Sequence, residues 1–472
     1  MMPNLRFLAL AAFTSLVSAC SLIPAYQSPS PALPSQWQAA LPHGGNTANL
    51  KEWWRRFNDP VLVELLDAAE RDNPSLEKAA AAIREARASV TSTKAAGLPA
   101  VNGGSSATRA SSNSLQRTAA ATTSTAALDA SWEIDLFGAV RYATESSEAK
   151  ADARVSEWHN ARISLAAEIA SDYVSYRACE LQVHAYQDEL ASQRETVRVT
   201  GELVKAGFTA PADGRLAEAN AATAAANVIA QQESCDLTVK SLVALTGWEE
   251  PMLRGKLGSS SRIPTPAGFD VANIPVAQLS QRPDVMSAER ALAASYADIG
   301  SAEADRYPRL SLLGSIAFTA IGGASATTWS FGPSLTAPLF DAGKRKAAVT
   351  ASEARYDQAL ATYKQSVRDA VQETEQALVR LESATQREIE AVKAAENYRA
   401  YLASSETLWR SGGMSLLDLE TARRSAITAD LNVIALKRDQ VNYWIALYKA
   451  LGGDWQTVAA PASTFKSTSV AQ

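Results

Sequence analysis

Side chains able to do chemistry are few: three cysteines and three histidines in 472 residues. Cys20 directly follows Leu16-Val17-Ser18-Ala19. That run resembles a bacterial lipobox, whose thiol accepts acyl chains when the preceding segment is cleaved. Arg6 supplies the positive start of that segment, and Phe7 to Val17 is an apolar core too short to span a bilayer. Residues 1–19 therefore read as a signal peptide. Cys179 and Cys235 stand 28 residues to either side of Gly207, where a helical hairpin is expected to turn. On antiparallel helices the two thiols reach the same height, and export to an oxidising compartment predicts a disulfide between them. His43, His159 and His184 lack metal-ligand spacing, and HExxH, GxSxG and CxxC are absent. Met252, Met286 and Met414 are scattered. No enzyme activity, metal or cofactor is expected. A formal net charge of −5 argues against a nucleic-acid partner.

These residues need long elements to carry them. Alanine is abundant, and prolines cluster at the N-terminal extension and mid-chain, leaving long stretches that favour helix. The chain also repeats its own landmarks. Asn73-Pro74-Ser75-Leu76 corresponds to Arg282-Pro283-Asp284-Val285, and Gly97-Leu98-Pro99 to Arg306-Tyr307-Pro308, both 209 residues on. Leu136-Phe137 corresponds to Leu339-Phe340 at 203 residues, and Lys205-Ala206-Gly207 to Arg410-Ser411-Gly412 at 205. Ala244-Leu245-Thr246-Gly247 corresponds to Ala450-Leu451-Gly452-Gly453 at 206. Ordered matches with so little drift predict two repeats, 73–247 and 283–453, joined by a Pro/Gly/Ser-rich connector at 248–282. Residues 20–72 are left for an N-terminal segment with a first helix, and 454–472 for a tail.

Each repeat has one grammar. A helix comes first (75–96, 284–306), then a stretch of alternating residues, then a long helix (141–206, 344–411), a turn, and a return helix (215–246, 416–451). At 1.5 Å per residue each long helix is about 100 Å in length. Ile169, Tyr176, Val183, Leu190, Val197 and Val204 are spaced by seven. Tyr356, Leu360, Tyr363, Val367 and Val371 step by four and three. Such a period winds helix against helix. Between the helices, Leu128, Ala130, Trp132, Ile134 and Leu136 alternate with Asp129, Ser131, Glu133 and Asp135. Leu310, Leu312, Gly314, Ile316 and Phe318 alternate with polar partners, and Trp329, Phe331 and Leu335 continue after Gly322-Gly323. Residues 101–109 show almost no such pattern. Period two with one polar face suits membrane barrel strands. Four strands cannot close around a lumen, and an open edge cannot face lipid, so several chains must share one barrel.

Trp132-Glu133-Ile134-Asp135-Leu136-Phe137-Gly138 and Pro338-Leu339-Phe340-Asp341-Ala342-Gly343-Lys344-Arg345 resemble the paired strand-to-helix signatures of the TolC-like outer membrane factor family, in its OprM/NodT-type lipoprotein branch. Arg282-Pro283-Asp284-Val285, Ala288-Glu289, Ile299-Gly300 and Tyr307-Pro308-Arg309-Leu310-Ser311 match a further block, and Trp53 with Phe57-Asn58-Asp59-Pro60 suits the N-terminal one. The likeness runs in order from about residue 20 to 455. It implies a mainly α chain with a membrane β-barrel part. Three copies would form a trimeric α-barrel tunnel joined to a shared 12-stranded β-barrel in the outer membrane. It implies three partners: outer-membrane lipid held through Cys20, a periplasmic adaptor (membrane fusion protein), and an inner-membrane pump of the RND type. The function implied is the exit channel of a tripartite efflux system for small toxic compounds or drugs. The alternative is the duct of a type I protein secretion system.

The resemblance also points to sites. Adaptors of this family meet the hairpin turns, here residues 206–213 and 411–418, so Gly207, Thr209, Asp213, Gly412, Ser415 and Asp418 are the expected contacts. In the OprM-like branch a Leu and an Asp four residues later narrow the periplasmic mouth; the matching positions are Leu417 and Thr421, so the acid is missing. Helical geometry offers a substitute. Leu417, Glu420, Thr421 and Arg424 share one face, whereas Asp418 points about 100° from Leu417. Glu420 is therefore expected to line the mouth beside a Leu417 collar, with Arg424 able to pair with it one turn on.

Overall fold

The computed structural model describes residues 22–30, 33–34, 38, 53–114, 117–258, 262–266 and 276–453. Cys20, His43, the signal segment and the C-terminal tail lie outside the described residues. Contacts divide the chain into two units. The first holds residues 22–30, 80–157 and 286–366; the second holds 53–79, 158–285 and 367–453.

The elements, in order, are α1 (Pro60–Asp72), α2 (Pro74–Ala95), β1 (Ala100–Ser114), β2 (Arg117–Ile134), α3 (Ala139–Lys205), α4 (Pro211–Thr246), α5 (Glu250–Leu257), α6 (Pro283–Ala304), β3 (Arg309–Ile321), β4 (Ala324–Thr336), α7 (Lys344–Arg410) and α8 (Leu416–Ala450). Both α2 and α6 have 22 residues, and both α3 and α7 have 67. The stretch expected as a plain connector carries α5, whose Arg254 pairs with Asp236 of α4 at 2.6 Å. The return helix α4 begins at Pro211, four residues earlier than expected. Proline suits a first helical position, where its missing N–H has no partner to lose. Among the described residues no helix is long and apolar enough to cross a membrane.

In the first unit the four strands form one antiparallel sheet in the order β1-β2-β3-β4. Residues 101–109 are paired throughout despite their weak pattern, with Val101 opposite Ala130 and Arg109 opposite Thr122. Small residues there give no alternation, and the neighbouring strand supplies the ladder. The register puts alternating residues of all four strands on one face. Leu128 stands opposite Ile316, and Ile316 opposite Trp329. That face stays open in the single chain: Leu128 is 54% exposed, Trp329 79% and Phe331 74%. The other face carries Asp129, Ser131, Ser315 and Ser330. Gly322 and Gly323 make the β3–β4 turn at φ +56° and +94°, as a two-residue hairpin loop requires. Described N-terminal residues lie along the same unit. Leu22 and Ile23 donate backbone N–H to Tyr142 Oη at 3.1 and 3.3 Å, and Tyr363 donates to the Pro29 carbonyl.

In the second unit α3 and α4 run antiparallel. Gln231 of α4 donates to Gln182 of α3 at 2.9 Å, and Ser241 donates to Asp172. On the part of α7 in this unit the buried line steps by three and four through Val367, Ala370, Thr374, Ala377, Leu381 and Ala384. It passes one residue from the expected Val371, which is half-buried. On α3, Ile169 and Tyr176 are buried as the seven-residue spacing predicts. Toward the tip the buried positions become Gln193, Thr196 and Thr200, three residues past the expected Leu190 and Val197. A straight helix drifts about 20° per heptad, which moves a seam off a strict repeat of seven.

Two arginines with no periodic signal hold this unit together. Arg177, 2% exposed, donates to Tyr173 Oη, Glu180 and the Leu257 carbonyl, while Tyr173 donates to Asp59, the N-cap of α1. Arg282, 5% exposed, donates to the Ala450 carbonyl at the end of α8 and pairs with Asp284 and Glu373. Buried charges need such complete partnering, since an unpaired one would be strongly destabilising.

Candidate functional site at the hairpin tips

Both hairpin tips lie in the second unit. Each long helix ends in the same cap. Gly207 takes φ +76°, with its N–H donating to Val204 and the N–H of Phe208 donating to Leu203. Gly412 takes φ +78°, with Gly412 donating to Trp409 and Gly413 to Leu408. This is the Schellman arrangement, in which a residue with positive φ turns the chain and satisfies two terminal carbonyls. Any β-carbon at those glycines would have open space around it, so conformation and not crowding selects glycine.

The return helices start alike. Thr209 donates to Asp213 at 2.7 Å. Ser415 donates to the Asp418 carboxylate at 2.7 Å, and the Asp418 N–H donates back to Ser415 Oγ at 3.2 Å. Each acid sits in the first turn of its helix, where free N–H groups and the helix dipole favour negative charge. The residues expected at the tips are therefore brought together, each set on its own turn. Phe208, which is not among the expected contacts, is 82% exposed on the first tip. Its only signal is an aromatic residue standing in a turn.

The expected mouth face divides. Leu417 is 58% exposed, and Thr421 and Arg424 are exposed beside it. Glu420 is not on that face; it is 3% exposed. It accepts hydrogen bonds from Gln193 Nε2 at 2.5 Å and Thr196 Oγ1 at 3.4 Å, both on α3. Its cationic partner is Arg423 at 2.6 Å, not the expected Arg424. Arg423 also donates to Thr196 and approaches Glu406 of α7 at 3.7 Å. The physical reason is angular. Glu420 lies about 60° from Leu417 on the flank shared with Arg423, and α3 occupies that flank. Burial, and then the Glu420 charge, push the nearby Glu189 carboxyl above the usual carboxylate range.

Below the tips, Cys179 and Cys235 are bonded across α3 and α4, with Cα atoms 5.6 Å apart. Among the described residues no cluster of His, Cys, Asp and Glu could hold a metal ion. At the tips the arrangement supplies two shaped turns and a polar latch between α3 and α8.

The profile of the family described as "Outer membrane efflux protein" matches residues 65–248 and 274–453. "Nodulation protein T" of Rhizobium leguminosarum bv. trifolii is 30% identical over 464 residues, spanning 95% of this chain and 97% of that protein. "Solvent efflux pump outer membrane protein SrpC" of Pseudomonas putida is 28% identical over 470 residues, spanning 96% and 99%. Among solved structures, the outer-membrane channel OprN superposes with a TM-score of 0.82 at 30% identity, covering 92% of this chain and 99% of OprN.

Proposed function

The chain belongs to the outer membrane efflux protein family, and from that premise we propose that it is the exit duct of a tripartite efflux system. Its family and structural neighbours are outer-membrane channels, which are transporters and not enzymes. In our reading three copies share a 12-stranded barrel and a helical tunnel. The observation that carries this is the four-stranded sheet, with large apolar side chains exposed on one face, a mainly polar second face that also holds Leu313 and Ile321, and two edges unpaired within the chain. Such a sheet can rest in lipid only if further strands close it. The long helices, each about 100 Å, suit a periplasm-crossing tunnel.

A periplasmic adaptor docks at the tips around Gly207, Thr209, Asp213, Gly412, Ser415 and Asp418, and an RND-type pump supplies the energy. The substrates are small toxic compounds. A relative named for solvent efflux supports this over a protein-secretion duct.

The test is a deletion strain screened for sensitivity to solvents, antibiotics and metals, complemented by wild type or by bulky substitutions at Gly207, Thr209, Gly412 and Ser415. Restored tolerance with wild type, and none with tip variants that still form trimers, is the expected result. Unchanged tolerance on deletion, with loss of a secreted protein, would replace efflux by secretion. Full activity of all four tip variants would remove the tips as the docking site.

A further inference from the structure

The two ends of the sheet differ in charge. Asp129, Glu133 and Arg309 lie in the half that joins the helices, whereas the half toward the hairpin turns carries only Arg109 and Arg117. No acidic residue offsets them there. Arg109 stands opposite Thr122, and alternation along β2 puts Thr122 on the face of Leu128 and Trp132. That is the apolar, exposed face, and Arg109 is exposed on it with no ion pair among the described residues.

The apolar part of this face has a limit. Its large side chains run from the row of Ile134, Leu310 and Leu335 to the row of Ala126 and Phe318. Those eight residues of β2 span about 26 Å along the strand. Strand tilt reduces that to roughly 20 Å of height, close to the apolar band of a membrane barrel. Beyond it come Ala107, Ser124, Ala320 and Ser325, then Thr122 and Arg109. Arg109 thus stands about 13 Å along the strand past the Phe318 row, at the depth where headgroups begin and an outward arginine costs least. Immediately before Arg109 on the same face is a shallow depression of about 340 Å³, lined by Ser105, Ala107, Ser124, Ala126 and Phe318 among others. Small side chains floor it and the Phe318 ring walls it. It lies on the face and not at the edge, so strands added beyond β1 leave it open to lipid.

We propose that this surface binds a phosphorylated glycolipid of the outer leaflet, with a phosphate on Arg109 and an acyl chain in the depression. This rests on the barrel reading above, in which the hairpin ends face outward because the helices occupy the other end. Two features select this occupant over a zwitterionic phospholipid. The positive charge is unbalanced, and a guanidinium matches phosphate oxygens with two parallel hydrogen bonds. The hydroxyls of Thr122, Ser124 and Ser325 beside it offer a sugar headgroup both donors and acceptors.

Full-length protein reconstituted in phosphatidylcholine vesicles tests this, with diphosphoryl lipid A, its phosphate-free counterpart and phosphatidylglycerol as probes. Lipid retained by the purified protein is counted by native mass spectrometry. Diphosphoryl lipid A should bind about tenfold more tightly than the phosphate-free form. Arg109→Gln should remove that preference while leaving the phosphate-free form bound as before. Arg109→Lys should keep most of it, since an ammonium still pairs with phosphate. Ala107→Phe, which fills the depression, should weaken both forms. Equal binding of the two forms to wild type, or a preference that survives Arg109→Gln, would overturn the phosphate contact. Phosphatidylglycerol bound as tightly as lipid A would overturn the glycolipid assignment in favour of any anionic lipid. Protein that never enters the vesicles, judged by flotation, would instead overturn the barrel reading itself.

Discussion

Glu420 and Arg423 form an ion pair in which both side chains are largely covered, at 3% and 11% exposure. Removing one member of such a pair leaves the other poorly solvated, at a typical cost of about 3–5 kcal/mol. Glu406 stays within 3.7 Å of Arg423, so the low end applies. Glu420→Ala should lower stability by about 3 kcal/mol, loosen α8 from α3, and raise conductance in planar bilayers. Asp418→Ala removes only a cap interaction, worth about 1 kcal/mol. Unfolding curves of both variants decide the matter: a Glu420→Ala protein as stable as wild type would show that the buried network is not structural. Glu189 gives a dependence on pH. Its folded-state carboxyl binds a proton more readily than in the unfolded chain, so folding gains while it is protonated and that gain is lost as pH rises. Glu189→Gln should therefore melt higher than wild type at neutral pH, with the advantage fading as pH falls to about 4. Thermal melts at the two pH values check it, and an advantage growing in acid would contradict it.

The hairpin of α3 and α4 is closed twice, at its turn by Gly207 and along its length by Cys179–Cys235. The cysteines are 56 residues apart in sequence. Constraining a loop of that size in the unfolded chain contributes about 4 kcal/mol in the chain-entropy treatment. Replacing both cysteines by alanine should lower the melting temperature, and reductant should then have no further effect. Thiol titration of the unfolded, unreduced wild type should find neither cysteine free; two free thiols would exclude the bridge. The hairpin of α7 and α8 has no cysteine pair among its described residues. Its polar ties are non-covalent and include the glycine cap, the Ser415–Asp418 pair, Arg399–Asp430 at 2.6 Å, Arg423–Glu406 at 3.7 Å and Gln440 donating to Thr385 at 3.1 Å. It should therefore open at lower denaturant than the first hairpin, as hydrogen exchange resolved by segment would report.

Lipid meets this protein in two proposed ways, through the sheet and through an acylated Cys20. Cys20 lies outside the described residues, but Leu22 and Ile23 follow it and are held by Tyr142, close to the sheet end of α3. Several acyl chains would anchor that end firmly, at about 0.8 kcal/mol per buried CH₂. Cys20→Ala should lose palmitate labelling. Equal labelling of the mature variant would exclude the lipobox reading.

Much of this is legible in the sequence. Proline-free stretches and the glycines that end them located α3 and α7 to within two residues, because helix propensity and capping are local. The symmetric spacing of Cys179 and Cys235 about Gly207 needed only the rule that antiparallel helices return at one residue per residue. β1 is the faintest of the four expected strands: its small residues carry no period, so its extent and register come only from the ladder with β2. The fates of Glu420 and Arg423 are not legible. A helical wheel gives each side chain an angle, but only packing decides that α3 fills the angle of Glu420 and solvent that of Leu417. Arg177 and Arg282 were hidden for the same reason: whether a buried charge is tolerated depends on donors and acceptors brought from distant parts of the chain, which no local pattern records.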